Sequence, residues 1–368
     1  MSDSNSEESN SEISKVKCKD CGAFLTYKIG TTSLKCEYCS AENEIKTLPP
    51  EVKELNFLEY LSNLDKNPVQ DEVNTVKCSD CGASSTLKPN VTSDHCPYCS
   101  TPLVLADASV KRLIRPSNLL PFKIERTQAN QLFVNWVKSL WFAPNDLTKY
   151  ANSTQEKLNG IYFPYWTYDA NTFTAYEGSR GDHYYITEHY TDSNGNSQSR
   201  QVRRTRWTYV SGWVDNTFDD VLVCASTGLP DKIIQELEPW DLEELVNFDP
   251  SFLSGFRSES YSLDLEGGWK KAQGIMEVKI SNTVRNDIGG DEQRISRMNV
   301  DYNEVTFKHI LLPVWLSAYK YNGKIFRFMI NARTGEVQGE RPYSFWKIFL
   351  LILFFVLVGV GIYFLTKK

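Results

Sequence analysis

The sequence predicts an α+β chain with two small cysteine-built modules on its N-terminal side, a β-rich mixed body, and one apolar helix on its C-terminal side. Three observations carry that prediction. Four Cys-x-x-Cys pairs fall between Cys18 and Cys99. Residues 107–343 are aromatic, threonine-rich and punctuated by turn residues, the pattern of antiparallel strands. Finally, eighteen consecutive residues from Ile348 to Leu365 carry no charge.

Residues 1–14 are Ser/Asn/Glu-rich and acidic, a composition that cannot bury enough apolar surface to order itself. The first module spans 15–47. In it, Cys18-Lys-Asp-Cys21-Gly22 is followed, after fourteen intervening residues, by Cys36-Glu-Tyr-Cys39. The second module, 76–106, repeats the device as Cys78-Ser-Asp-Cys81-Gly82 and Cys96-Pro-Tyr-Cys99, again with fourteen residues between the pairs. Two cysteines separated by two residues share one tight turn. The glycine that follows lets the backbone curl so that amide N–H groups point at the sulfurs. Two such turns facing each other present four thiolates tetrahedrally, which suits a structural zinc ion. The expectation is therefore two zinc ribbons holding two Zn²⁺.

Competing readings of the cysteines are weaker. A disulfide framework needs an oxidising compartment, and the acidic start Met1-Ser-Asp-Ser-Asn carries no export signal. A thioredoxin-type pair stands alone, and ferredoxin spacings differ. His95 is surplus to a site that already has four thiolates, and Cys224, after Val221-Leu-Val223, reads as a small buried hydrophobe.

A ribbon is a rigid knob whose metal replaces the core that about thirty residues cannot build. Nucleic-acid binding by such knobs would leave a basic footprint. The chain has net charge −6 and a pI near 5.5. Lys15, Lys17, Lys19, Lys28 and Lys35 are offset by Asp20, Glu37, Glu42 and Glu44, and Lys77 and Lys88 by Asp80 and Asp94. Protein partners are favoured over nucleic acid, with Phe24, Tyr27, Tyr38 and Tyr98 as the expected exposed contacts.

The linker, 48–75, opens on Leu48-Pro49-Pro50. It continues as a helix over Glu51–Leu64, with Leu55, Leu58, Leu61 and Leu64 at helical spacing, packed between the ribbons. In the body, 107–343, a helix is expected over Thr127–Phe142, ended by Pro144, with Leu132, Val134, Trp136, Leu140 and Trp141 inward. A second helical stretch, Asp231–Leu237 and Leu242–Val246, is broken at Pro239. Ile161-Tyr-Phe-Pro164-Tyr-Trp166 recurs as Ile310-Leu-Leu-Pro313-Val-Trp315, with Leu119-Leu-Pro121-Phe122 as a weaker third copy. These read as related β-meanders with proline at an edge. Asn322-Gly323 marks a hairpin and Asn331–Gly335 a further turn.

No P-loop, HExxH, GxSxG, kinase or dinucleotide signature occurs, so no enzymatic activity is expected. Asp182, His183, Glu188 and His189 are the right residue types for a metal, but strand alternation keeps the two histidines about 20 Å apart. The stretch Arg200–Trp207 could meet nucleic acid or lipid headgroups; a solvated strand paired to acidic neighbours is the simpler reading.

The apolar segment completes a spanning helix over 345–366. Its eighteen uncharged residues extend about 27 Å. Phe345 and Trp346 stand at one interface and Tyr363 at the other, with Lys347, Lys367 and Lys368 reaching headgroups. The expected topology is a single-pass, tail-anchored protein of the cytoplasmic (inner) membrane whose N-terminal bulk stays in the cytosol, where thiolates remain reduced.

These motifs together resemble a family. They are the double ribbon, Leu119-Leu-Pro121-Phe122, Gly160-Ile-Tyr-Phe-Pro164-Tyr-Trp166-Thr-Tyr-Asp169, Tyr176-x-Gly178-x-x-Gly181, Leu312-Pro313-Val-Trp315, and Asn331-x-x-Thr334-Gly335-x-Val337-x-Gly339-Glu-Arg-Pro342. The chain is similar to the bacterial zinc-ribbon, C-terminally anchored membrane proteins, often labelled primosomal protein N′-like or TFIIB-type zinc ribbon-containing. The helicase label reflects the ribbons, because the nucleotide motifs of a helicase are missing. Resemblance to the YdjG-like subgroup implies an adaptor that brings SPFH-type and phage-shock PspA-type proteins to the membrane. The alternative implied by the primosomal label is a membrane-tethered DNA-replication accessory factor without helicase activity.

Overall fold

The aromatic, threonine-rich body forms strands of unusual length. Asn159–Thr191 (β11), Ser197–Cys224 (β12) and Glu292–Tyr321 (β15) run 33, 28 and 30 residues. The structure is a computed structural model that describes residues 16–46, 53–63, 70–79, 84–86, 93–96, 102–104, 108–147, 158–191, 195–227 and 231–366. The acidic tail over 1–14 lies outside the described residues.

Four sheets are present among the described residues. The first module contributes Leu25–Tyr27 (β1), Ser33–Cys36 (β2) and Glu42–Glu44 (β3) as an antiparallel meander. Gln70–Lys77 (β5), Ser84–Thr86 (β6) and Ala108–Ile114 (β9) form a second sheet, and Ser93–His95 (β7) pairs with Pro102–Val104 (β8). The large sheet has the order β12-β11-β15-β10-β13, where β10 is Asn118–Leu119 and β13 is Val246–Asn247. Leu55–Asn56 (β4), Arg257–Ser258 (β14), Lys324–Asn331 (β16) and Val337–Gly339 (β17) join it laterally.

The sequence repeat has a spatial meaning. Its two copies lie opposite each other, antiparallel, with Ile161 facing Val314 and Pro164 facing Leu311. The third copy runs parallel beside β15, with Leu119 level with Leu311. The prolines occupy central strands, contrary to the edge position expected of them. Each sits where one neighbouring ladder has just ended: β12 pairing stops at Tyr165, next to Pro164, and β16 pairing stops at Val314, next to Pro313. The missing N–H therefore costs little, and both carbonyls still accept bonds, from Ala225 at 2.9 Å and Ala332 at 3.0 Å. Asn322 and Gly323, at φ 47° and 81°, make the expected hairpin turn between β15 and β16.

Alternation sorts side chains into opposite layers. Tyr162, Leu311 and Trp315 pack with the first module and with the helix Arg126–Ser139 (α2). Ile161, Phe163, Ile310, Leu312 and Val314 face the other way, with Leu237, Trp240, Val76, Cys78 and Cys96. Trp166, Tyr168 and Phe218 lie under the helix Leu265–Ile288, where they pack with Met276, Ile280 and Val284.

Several elements differ from expectation. The linker helix (α1) spans only Phe57–Ser62, and its buried residues are Phe57 and Tyr60, which pack on Phe307 of the body. The leucine spacing misled, because Leu58 is exposed and the two aromatic rings offer more area to bury. α2 starts at Arg126 and stops before Leu140; it buries Phe133, Val134 and Val137, while Trp141 is exposed. The second helical stretch is a short helix (α3), Asp231–Gln235, followed by a single 3-10 turn, Leu242–Glu244. The helix Leu265–Ile288 (α4) lies where the aromatic, turn-punctuated pattern of the body predicts strands. The last helix (α5) spans Phe345–Thr366, has no buried residue, and is long and apolar enough to cross a membrane.

Candidate metal centre

The first cysteine module is built from two matching turns. The Gly22 N–H donates to Cys18 O at 2.9 Å, and the Ser40 N–H donates to Cys36 O at 2.9 Å. Gly22 and Ser40 have φ of 74° and 60°, the left-handed conformation that closes each turn. Closing the turns brings Cys18, Cys21, Cys36 and Cys39 together, with all four sulfurs within 4.8 Å of one another. Cys18 Sγ lies 3.6 Å from Cys39 Sγ, and Cys21 Sγ lies 3.5 Å from Cys36 Sγ. A tetrahedral ion with metal–sulfur bonds of about 2.3 Å sets its sulfurs about 3.8 Å apart, so the four fit a metal ion.

The electrostatics agree. The Cys39 and Tyr38 amides direct their N–H groups at Cys36 and draw its thiol down to about 7. The Cys21 and Asp20 amides lower Cys18 in the same way. At Cys39 the Ala41 amide acts downward, but the neighbouring thiols and burial outweigh it and push the pKa up to about 12. Crowded sulfurs cannot all ionise without a cation between them.

The module is seated on the body. The Tyr27 N–H donates to Ser254 O at 3.0 Å, Ser254 Oγ donates to Leu25 O at 2.5 Å, and the Gly30 N–H donates to Phe122 O at 3.0 Å. The Tyr27 ring lies 5.2 Å from Phe252 and 6.3 Å from Phe256, and its hydroxyl donates to Thr31 O. Tyr27, expected as an exposed contact residue, is therefore 5% exposed and serves as the module's anchor. Phe24 and Tyr38 are exposed, at 54% and 85%. Of the second cysteine set, Cys78 and Cys96 are buried within one packed cluster of the body. Cys81, Cys99 and Tyr98 lie outside the described residues. Cys224 is buried beside Tyr165, its partner across the β11–β12 ladder.

The other candidate clusters resolve differently. His183 and His189 stay on one continuous strand, and His183 Nε2 pairs with Glu292 Oε1 at 2.7 Å. The arginine-rich stretch lies on β12. There Arg200 and Arg204 bond Glu188 at 3.1 and 2.6 Å, and Arg206 sits over the Tyr184 ring. Sequence reasoning missed one carboxylate group, Glu54, Asp169 and Asp219, whose oxygens lie within 4.8 Å of one another. These residues are far apart in sequence, and only the Asp219-Asp220 doublet hinted at them. Buried Lys308 supplies their counter-charge, at 2.6 Å from Asp220 and 3.3 Å from Glu54. Burial works against its ammonium, yet Asp220, Asp169 and Glu54 hold its pKa above the ordinary lysine value.

With this geometry in view, comparison with known proteins places the chain beside one curated relative. It is similar to the uncharacterized protein YdjG of Bacillus subtilis (strain 168), 26% identical over 346 residues, which covers 91% of this chain and 92% of the relative. No protein-family profile matches the chain, and no solved structure matches it.

Proposed function

We propose that this protein is a non-enzymatic, membrane-anchored zinc-ribbon adaptor that recruits protein partners to the cytoplasmic membrane. The observation that carries the reading is the four-thiol knob. It is pinned to the body through Tyr27, yet it turns Phe24 and Tyr38 outward, on a chain whose apolar helix α5 has no fully buried residue. Zinc is the metal proposed, since four thiolates at tetrahedral spacing in a reducing compartment suit a closed structural site. A second zinc at Cys78, Cys81, Cys96 and Cys99 belongs to the same proposal. The metal would supply rigidity, so that the exposed aromatics meet a partner without an ordering cost. α5 would cross the bilayer once, with the ribbons and body in the cytosol. SPFH-type and PspA-type proteins are the partners proposed, from the family resemblance. Pairing of Arg200 and Arg204 with Glu188 supports this reading over nucleic-acid binding.

The test uses the full chain in vesicles with a PspA-type or SPFH-type protein and measures co-sedimentation. Phe24→Ala and Tyr38→Ala should each weaken binding about tenfold or more at unchanged metal content, as expected of exposed aromatic anchors. If binding ignores both changes, and neutralising Lys17, Lys19 and Lys35 instead abolishes a salt-sensitive complex with DNA, the adaptor reading is wrong.

A further inference from the structure

The foot of α5 is locked to the end of α2. Lys347 Nζ donates to Trp141 O at 3.0 Å and to Ala143 O at 2.8 Å, and the Ser344 N–H donates to Phe142 O at 2.7 Å. Lys347 was expected to reach headgroups. It instead caps the loop 140–147 that follows α2. That loop is tied in turn to the end of β15, where Tyr321 Oη donates to Asp146 Oδ1 at 3.0 Å. Around this junction stand Trp141, Tyr343, Phe345 and Trp346, exposed at 71, 59, 73 and 70%. Trp141 also stacks on Phe142, with ring centroids 5.5 Å apart.

So many large apolar side chains left in water at one point call for a cover. The helix that begins there supplies it. Phe345 and Trp346 form the first turn of α5, and Lys347 fixes the loop at their level. Trp and Tyr, with an apolar body and a polar edge, partition to the zone between headgroups and acyl chains.

We propose that the loop 140–147 is a second membrane-contacting element, with Trp141 and Phe142 seated in the interfacial zone of the leaflet that α5 enters. The proposal rests on α5 crossing the bilayer. Its consequence is mechanical. Three hydrogen bonds and a shared interfacial seat hold the body at a fixed attitude on the membrane, where a lone helix on a free linker would let it swing. β15 is tied to this junction through Tyr321, so the long sheet shares the attitude that the junction fixes.

The test is tryptophan quenching by brominated phosphatidylcholine, with the full chain reconstituted in vesicles. Trp141→Phe and Trp346→Phe are compared with the unmodified protein; both keep an aromatic ring, and metal content and circular dichroism check the fold. Each substitution should remove roughly half of the lipid-quenchable emission, because these two are the exposed tryptophans at the junction. If Trp346→Phe lowers quenching and Trp141→Phe leaves it unchanged, the loop is not in the membrane and the proposal is overturned. If neither lowers it, the membrane reading falls as well.

Discussion

His309 gives the body a pH-dependent stability whose sign and size follow from its surroundings. It sits on β15 with its ring 4.7 Å from Trp166 and 5.5 Å from Tyr261. Its Nδ1–H donates to Ile114 O at 2.7 Å, while Nε2 is buried without a hydrogen-bond partner among the described residues. Burial drives the pKa from 6.5 down to about 4, against a smaller upward pull from the Ile114 and Arg115 carbonyls. The folded state therefore keeps this imidazole neutral, whereas the unfolded chain protonates it below pH ~6.5. The contribution to stability is complete above pH 6.5 and is lost as pH falls towards 4, because the unfolded state binds the extra proton. One proton over that interval amounts to about 3 kcal/mol at most. Acid would also protonate thiolates of the four-cysteine cluster if it holds a metal ion, so the measurement is a difference. The variant is His309→Asn, whose amide can keep the bond to Ile114 O without titrating. Denaturant unfolding of the detergent-solubilised chain, followed between pH 7 and pH 4, should show the unmodified protein losing about 1.4 kcal/mol more per pH unit than the variant through this window. Parallel pH profiles would show that His309 contributes nothing to this dependence.

Three further outcomes are expected. Cys18→Ser should lower bound metal by one ion per chain, measured by elemental analysis under reducing conditions, and should loosen the docked module so that hydrogen exchange rises around Tyr27. Ser40→Gly should stabilise the site by about 1 kcal/mol, since glycine adopts the left-handed turn without strain, and chelator competition should read this as roughly fivefold tighter metal retention. Arg333→Met should cost about 2 kcal/mol in denaturant unfolding. The guanidinium is 5% exposed, bonds Asp241 at 2.6 Å, also pairs with Glu244, and donates to Pro121 O at 3.0 Å. The cost stays below that of breaking a fully buried pair, because the Asp241 and Glu244 side chains are 31% and 57% exposed and can be re-solvated.

The features legible in the sequence are those whose physics is local. The thiols of Cys18 and Cys21 share one turn and those of Cys36 and Cys39 share another, so spacing alone announces a four-thiol cluster that could hold a metal ion. The apolar run ending at Leu365 announces its helix because no tertiary contact is needed to make it one. Asn322-Gly323 is likewise its own signal, as positive φ at two successive residues suits little else. Helix α4 was legible in principle. Gly268, Ala272, Met276, Ile280, Val284 and Ile288 repeat every fourth residue, between an Asp264 cap and Gly289. Gly267-Gly268 near its start reads as a breaker in one dimension. The tertiary structure explains the second glycine, since a Cβ at Gly268 would stand 2.4 Å from the Tyr168 hydroxyl. What the tertiary structure alone decided depends on partners distant in the chain. It set the two proline-bearing copies face to face, although almost 150 residues separate Pro164 from Pro313. It turned Tyr27 inward onto Phe252 while leaving Tyr38 85% exposed, because no described residue of the body covers the second. It also bound Lys347 to the loop after α2, a contact that spans more than 200 residues and that no local pattern encodes. Composition and spacing determine which groups a chain can offer. Only the packing of remote segments determines which of them are spent on the fold and which remain free to act.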